Sequence, residues 1–223
     1  MMSISKANLF GNEYMGAFCA TNDSLTLVGG SPKGSGEAII EKALGTRLVE
    51  TMLGGSDLIG IYAVMNSRAI LVPEMSYSSE LSRLREKLGD TELVTITSDL
   101  NALGNNILAN DKVAVINPRY TQSEALEIGS ALGVEVVKMS IGGFETVGAN
   151  NIATNKGVVL NNRVSEDEEE MAKELFGNTS QSTANTGSLS IRLSAIANSN
   201  GIVAGSATTG YELENMAKGL RID

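Results

Sequence analysis

The strongest constraint in the sequence is a period. Gly16, Gly60, Gly104 and Gly148 stand 44 residues apart, and so do Gly45, Gly89, Gly133 and Gly177. Glu80, Glu124, Glu168 and Glu212 keep the same frame. Apolar columns run through all five copies: Leu44, Leu88, Leu132, Phe176 and Leu220; Val28, Val72, Ile116, Leu160 and Ala204; Ile40, Leu84, Ile128, Ala172 and Met216. Asn22, Asn66 and Asn110 return as Asn198, with Thr154 between. Chance spacing of glycines does not also keep apolar columns apolar. A fixed period of this length marks an architecture of repeated supersecondary units, and 223 residues leave room for five of them.

Each unit reads alike. After the column glycine comes a short run, such as IGIYAV (59–64) or NNILA (105–109), then a turn containing Asn, then a β-rich run such as LTLV (25–28), AILV (69–72) or VAVI (113–116). Two such runs around an Asn turn predict a hairpin, because Asn and Gly tolerate the positive φ that hairpin turns need. Helices are predicted over 35–45, 78–89, 122–133, 166–177 and 210–220. Acidic residues sit early in them, where the helix dipole favours negative charge, and glycine closes four of them as a left-handed terminator. A further strand follows at 46–53, 91–97, 134–141 and 179–185. The unit is β-β-α-β.

The frame places repeats at about 11–53, 54–97, 98–141, 142–185 and 186–223, in one domain over 1–223. The fifth unit lacks the strand after its helix, while the strand-like run 3–10 has no helix before it. Setting 3–10 after the fifth helix completes that unit and closes a ring. Closure removes two open sheet edges that otherwise invite aggregation.

Composition narrows the function. At 42% apolar and 19% charged residues the chain is soluble and globular in type. No apolar run reaches the ~18 residues that span a bilayer; 58–65 is among the longest, and Gly60 interrupts it. The start MMSISKANLFG has no charged segment followed by an apolar one, so no secretory signal is expected and the protein is placed in the cytoplasm. Cys19 is the one cysteine, which excludes internal disulfides and thiolate metal clusters; within a predicted strand it reads as a buried structural thiol. Histidine is absent, which removes the usual neutral-pH base and the commonest metal ligand. No metal and no cofactor are expected.

Other tempting signals reduce to structure. GGSPKGSG (29–36) lacks the Gly-Lys-Ser/Thr order of a phosphate loop and reads as a hairpin-to-helix connection. The acidic run 166–170 reads as a solvated helix start. The nine methionines read as core filler. The net charge of −9 repels nucleic-acid phosphates, so a nucleic-acid partner requires a local basic patch or a protein adaptor.

LNALGNNILANDKVAVINP (100–118) is similar to the third repeat of the translation initiation factor 6 family, with its Ala-Leu-Gly-Asn turn followed by Asn-Asp and Val-Ala. LGGSDLIGIYAVMNSRAILVP (53–73) resembles the second repeat, VEVVKMSIGGFETVGANNIATNKGVVL (134–160) the fourth and FGNEYMGAF (10–18) the first. The likeness covers essentially the whole chain and points to the archaeal branch. SLSIRLSAIANSNG (188–201) departs from it, with Arg192 in the glycine column and Arg221 at the helix terminator.

The resemblance implies an α/β pentein, or α/β-propeller, of five β-β-α-β repeats with pseudo-five-fold symmetry, closed by the N-terminal strand. It implies a non-catalytic factor that binds the large (50S) ribosomal subunit and prevents its association with the small one, in subunit biogenesis and recycling. The expected partner is mainly a ribosomal protein near the sarcin–ricin loop, with ribosomal RNA beside it. No DNA and no membrane are expected, and the protein is expected as a monomer. The runner-up is a divergent pentein enzyme of the guanidino-modifying type. Those enzymes use a cysteine nucleophile, a histidine and carboxylates, and the missing histidine counts against it.

Two sets of candidate residues follow. The loops at the glycine end carry Leu58, Ile59, Ala102, Leu103, Asn105, Asn106, Thr146 and Val147, which serve either ribosome docking or packing around the ring axis. Asn105 stands out, because an amide beside a tight glycine turn needs a partner and the family's Ala-Leu-Gly-Asn motif places a ribosome contact there. A strand from Gly104 to Asn110 covers ~20 Å at ~3.3 Å per residue, which sets the Asn turns at the other end. There Arg68, Lys112 and Lys156 share one column, with Ser24 and Asn200 in the remaining copies. They form either a basic arc for ribosomal RNA phosphate or an acidic partner, or ordinary solvated turns. The lumen is expected to be lined by Asn and Ser and to hold ordered water.

Overall fold

The computed structural model describes residues 3–30 and 35–222; residues 31–34, the middle of the connection expected over 29–36, lie outside the described residues. The chain begins with β1 (Ile4–Lys6). The first unit has a 3-10 turn (Met15–Ala17), β2 (Cys19–Thr21), β3 (Leu25–Gly29), α1 (Ser35–Leu44) and β4 (Arg47–Thr51). The second has α2 (Ile59–Tyr62), β5 (Val64–Met65), β6 (Ala69–Pro73), α3 (Ser78–Leu88) and β7 (Glu92–Ile96). The third has α4 (Leu103–Asn106), β8 (Ile107–Ala109), β9 (Val113–Ile116), α5 (Gln122–Leu132) and β10 (Glu135–Lys138). The fourth has α6 (Val147–Asn150), β11 (Ile152–Thr154), β12 (Gly157–Asn161), α7 (Glu166–Phe176) and β13 (Thr179–Ser182). The fifth has α8 (Ile191–Ser194), β14 (Ala195–Ala197), β15 (Ile202–Ala204) and α9 (Gly210–Leu220).

The result is a mixed α/β fold with five three-stranded sheets. In each, a hairpin pairs antiparallel and the third strand adds parallel; in the fifth sheet that third strand is β1, in register Ile4↔Ile202. The parallel third strand needs a crossover, and the helix supplies it. The long helices end within a residue of their expected limits. Gly45, Gly89, Gly133 and Gly177 follow them at φ between 65° and 85°, and Arg221 takes the same left-handed place at φ 49°.

One expectation is corrected. The run after each column glycine is not all strand: residues 59–62, 103–106, 147–150 and 191–194 wind through a single helical turn first. In the third unit the Ala102 carbonyl accepts from the amides of Asn105 and Asn106, at 3.0 and 3.2 Å. Only Ile107–Ala109 is strand, so the two ends of the unit stand closer than an unbroken strand sets them.

The core lies between units rather than within them. Leu25, Leu27 and Val49 pack on Ile70, Leu81, Leu84 and Leu88 of the second unit. Similar clusters join second to third, third to fourth and fourth to fifth. A fifth joins Ile196 and Val203 to Leu9, Met15, Ile40 and Leu44 of the first unit. The apolar columns of the sequence are the two faces of these seams.

Two polar or backbone collars sit nearer the axis. At the hairpin end, the Asn22 amide donates to the Asn66 carbonyl (2.9 Å), Asn66 to Asn110 (3.3 Å), Asn110 to Thr154 (3.0 Å) and Asn198 to Asn22 (3.0 Å). The same side chains accept from two amides of their own turn, as Asn110 Oδ1 does from Lys112 and Val113. Thr154 has no amide to pass on, so the collar lacks its link from the fourth unit to the fifth. Thr154→Asn is expected to supply it and to raise stability by about 1 kcal/mol, read as a higher urea midpoint. A lower midpoint would show the fourth and fifth units standing too far apart for that bond.

At the other end the column glycines stack backbone on backbone. A Cβ at Gly16, Gly60, Gly104 or Gly148 would stand 1.9–2.3 Å from a carbonyl oxygen of the preceding unit. The fifth position is Arg192, which has a Cβ. The asparagine collar alone lacks a link at the junction of the fourth and fifth units, where Asn150 Nδ2 still donates to the Leu189 carbonyl at 3.1 Å.

Candidate functional site

The helical turns decide which glycine-end residues face outward. Tyr14, Leu58, Ala102, Thr146 and Ser190 share one column and the same backbone, with φ near −80° and ψ from 53° to 67°, immediately before each turn. Thr146 and Tyr14 are exposed, and Leu58, Ala102 and Ser190 are half-buried. The next column points inward. Ile59, Leu103 and Val147 are 0% exposed and belong to the seams between units. Their assignment to a docking surface is corrected: the helical turn rotates them into the core.

The two amides of the third unit part company. Asn106 is buried, donates to the Ala102 carbonyl at 2.9 Å and accepts from Asn117 at 2.8 Å, so it is a structural residue rather than a docking one. Asn105 keeps part of its surface, and its Oδ1 is buried with no hydrogen-bond partner. An orphan acceptor of this kind is desolvated without return.

Sequence reasoning missed several residues here. Tyr14 is 43% exposed, and its place in the column of Leu58 and Thr146 was the available signal. Phe10, Met52, Met75 and Tyr77 are exposed large apolar residues. Met75 and Tyr77 lie against Gly54 and Gly55, and Phe10 lies against Gly30 beside Asp57. They lie on the first two units.

At the hairpin end Arg68, Lys112 and Lys156 are all exposed. Arg68 lies over Gly133, and Lys112 lines a groove along α5 and β10 that also carries Lys138. Nearer the axis the charge reverses. Asn155 Nδ2 donates to Asp111 Oδ2 at 2.6 Å and to Asp23 Oδ2 at 3.0 Å, joining three units across the mouth. Asp23 and Asp111 also accept from the amides of Ser199 and Ser67. The cationic column thus surrounds a carboxylate centre.

Behind this mouth lies an axial cavity of about 50 Å³. The expected Asn- and Ser-lined lumen is found at the hairpin end, where a cavity of about 30 Å³ is lined by Asn22, Asn66, Asn110, Asn155, Asn198 and Ser67; behind it the walls are instead mainly Val64, Met65, Leu108, Ala153, Ile196 and neighbours, with Thr21 and Arg192. The asparagines are drawn to the hairpin turns, where each satisfies turn and collar together. Cys19 is fully buried, and burial pushes its thiol up to about 12 against the opposing pull of Arg192. It stays protonated at neutral pH, a structural thiol as expected from the sequence. Burial lowers the Arg192 guanidinium to about 10, with Cys19 opposing, which leaves it cationic.

Among families of known proteins, the model described as the eIF-6 family matches residues 4–219 of the chain. No curated protein matches it.

Proposed function

Because the chain belongs to the eIF-6 family of translation initiation factors, we propose that it binds the large ribosomal subunit and keeps the small subunit from joining. The match over residues 4–219 is the observation that carries this reading. The protein acts as a steric wedge, without chemistry of its own. The protonated, buried Cys19 and the missing histidine favour this over a guanidino-modifying enzyme. The seam between fifth and first units and the β1–β15 pairing support a pentein ring, closed as one domain. It works as a monomer in the cytoplasm.

The docking surface is the glycine end. Leu58, Ala102, Asn105 and Thr146 offer apolar and amide groups there, and Tyr14 extends them. The main partner is a basic ribosomal protein near the sarcin–ricin loop, and the charge of −9 speeds and orients that encounter. Asn105→Ala is expected to weaken co-sedimentation with purified large subunits about tenfold, a hydrogen bond's worth. It is expected to hold or raise folding stability, since the Oδ1 it removes is buried without a partner in the free protein. Undiminished co-sedimentation would move the contact elsewhere.

The cationic column makes a second, weaker contact with ribosomal RNA phosphate. Neutralising Arg68, Lys112 and Lys156 together is expected to flatten the salt dependence of subunit binding by up to ~3 in log–log slope. An unchanged slope would remove RNA from that rim.

A further inference from the structure

Arg192 puts a fixed positive charge where the other four units have only a glycine hydrogen. Its Nη1 donates to the Gly16 carbonyl at 3.1 Å and lies against Gly60. A guanidinium carries five N–H donors, and among the described residues no other acceptor meets them. The group lines the axial cavity, whose walls carry no carboxylate. The nearest ionisable neighbour is Cys19, whose thiol stays protonated. Asp23 and Asp111 stand at the hairpin mouth and are tied up by Asn155, Ser67 and Ser199.

Arg192 is half-buried, and a partly desolvated cation without a counter-charge favours an anion over water, which offers it dipoles but no charge. An anion needs only the free N–H fork, which binds it through charge-assisted hydrogen bonds. The cavity's 50 Å³ compares with ~10–15 Å³ for a single water, so it holds a few particles of that size and excludes phosphate with its hydration shell.

We propose that the axial cavity is a binding site for one small inorganic anion of halide size, held by the Arg192 guanidinium. The site is independent of the ribosome-binding reading. The carboxylates at the mouth repel an incoming anion, so exchange through that end is slow.

Bromide is the probe. Crystals of the full chain grown in sodium bromide are expected to show an anomalous peak within hydrogen-bond distance of Arg192. In solution, thermal unfolding midpoints are measured against bromide, with gluconate replacing it at fixed ionic strength so that general screening cancels. The wild-type midpoint is expected to rise with bromide, while Arg192→Met is expected to be flat and to lack the peak. No peak in the wild type, or a peak without a solution shift, overturns the proposal; the first leaves water in the cavity, the second shows binding at crystal concentration only. A bromide response retained in Arg192→Met also overturns it. Should that variant fail to fold, the wild-type peak and its matched solution shift decide the matter alone.

Discussion

Gly104→Ala is expected to destabilise the protein by about 3 kcal/mol in urea unfolding, a large effect for a single methyl group. The added Cβ would stand 2.2 Å from the Gly60 carbonyl oxygen and 2.6 Å from that of Ala63. Both are backbone atoms of the preceding unit, so no side chain can swing aside. The units must spread, and spreading α2 from α4 also loosens the apolar seam that includes Val64, Leu71 and Leu103. Gly177→Ala is the control. Gly177 ends α7 in the left-handed region at φ 85° and ψ −27°, and a Cβ added there would meet no atom within 4 Å, so alanine costs only the left-handed backbone, ~1 kcal/mol. Equal costs at the two sites would mean that the glycine collar is not a close backbone contact.

Glu212→Ala is expected to cost about 3 kcal/mol, through groups left unsatisfied. The carboxylate is 5% exposed. It accepts from the amide and hydroxyl of Thr209 at 2.7 and 2.9 Å, the Thr183 hydroxyl at 2.7 Å, and the amides of Gly187 and Thr186 at 2.9 and 3.3 Å. It therefore caps α9 and pins the preceding turn at once. Burial alone would raise its pKa, but the hydrogen bonds from Thr209, Thr183 and Gly187 outweigh that and hold it below the usual 4.5. A carboxyl with a depressed folded pKa stabilises the protein above the ordinary carboxylate range, and that stability is lost as pH falls through the folded value. Wild type and Glu212→Ala should therefore differ most above pH 4.5 and converge in stronger acid. Curves that stay parallel into acid would show that the carboxylate charge contributes nothing.

These two residues also mark what the sequence can disclose. The glutamate column was visible, and its early place in each helix pointed to the dipole. Its second task, holding the turn before the helical segment, joins residues 25 or 26 positions apart, as Glu80 does with Gly54 and Gly55 and Glu168 with Gly142. A bond of that range leaves no local pattern. The long helices were legible because eleven residues carry three turns of apolar spacing and end on glycine. The strand at the N-terminus was legible because the frame left one strand without a helix and one helix without a strand.

The helical turns were not legible, because four residues are too few for either period to declare itself. That one omission placed Ile59, Leu103 and Val147 among surface candidates when the turn rotates them into the seams. The frame still held the remedy: the column of Leu58, Ala102 and Thr146 contains Tyr14, and columns sort surface from core better than loop membership does. Arg192 was visible as a departure from the frame. Its destination, the cavity behind the hairpin turns, depends on where the strands of several units converge, which only the assembled structure reveals.

A protein that keeps ribosomal subunits apart must do so in a purified system. Large subunits are saturated with it, small subunits are added under joining conditions, and the mixture is resolved on a sucrose gradient. The protein is expected to travel with the large subunit, and the joined-ribosome peak is expected to be lost. A full joined peak, with the protein left at the top of the gradient, would contradict the proposed function.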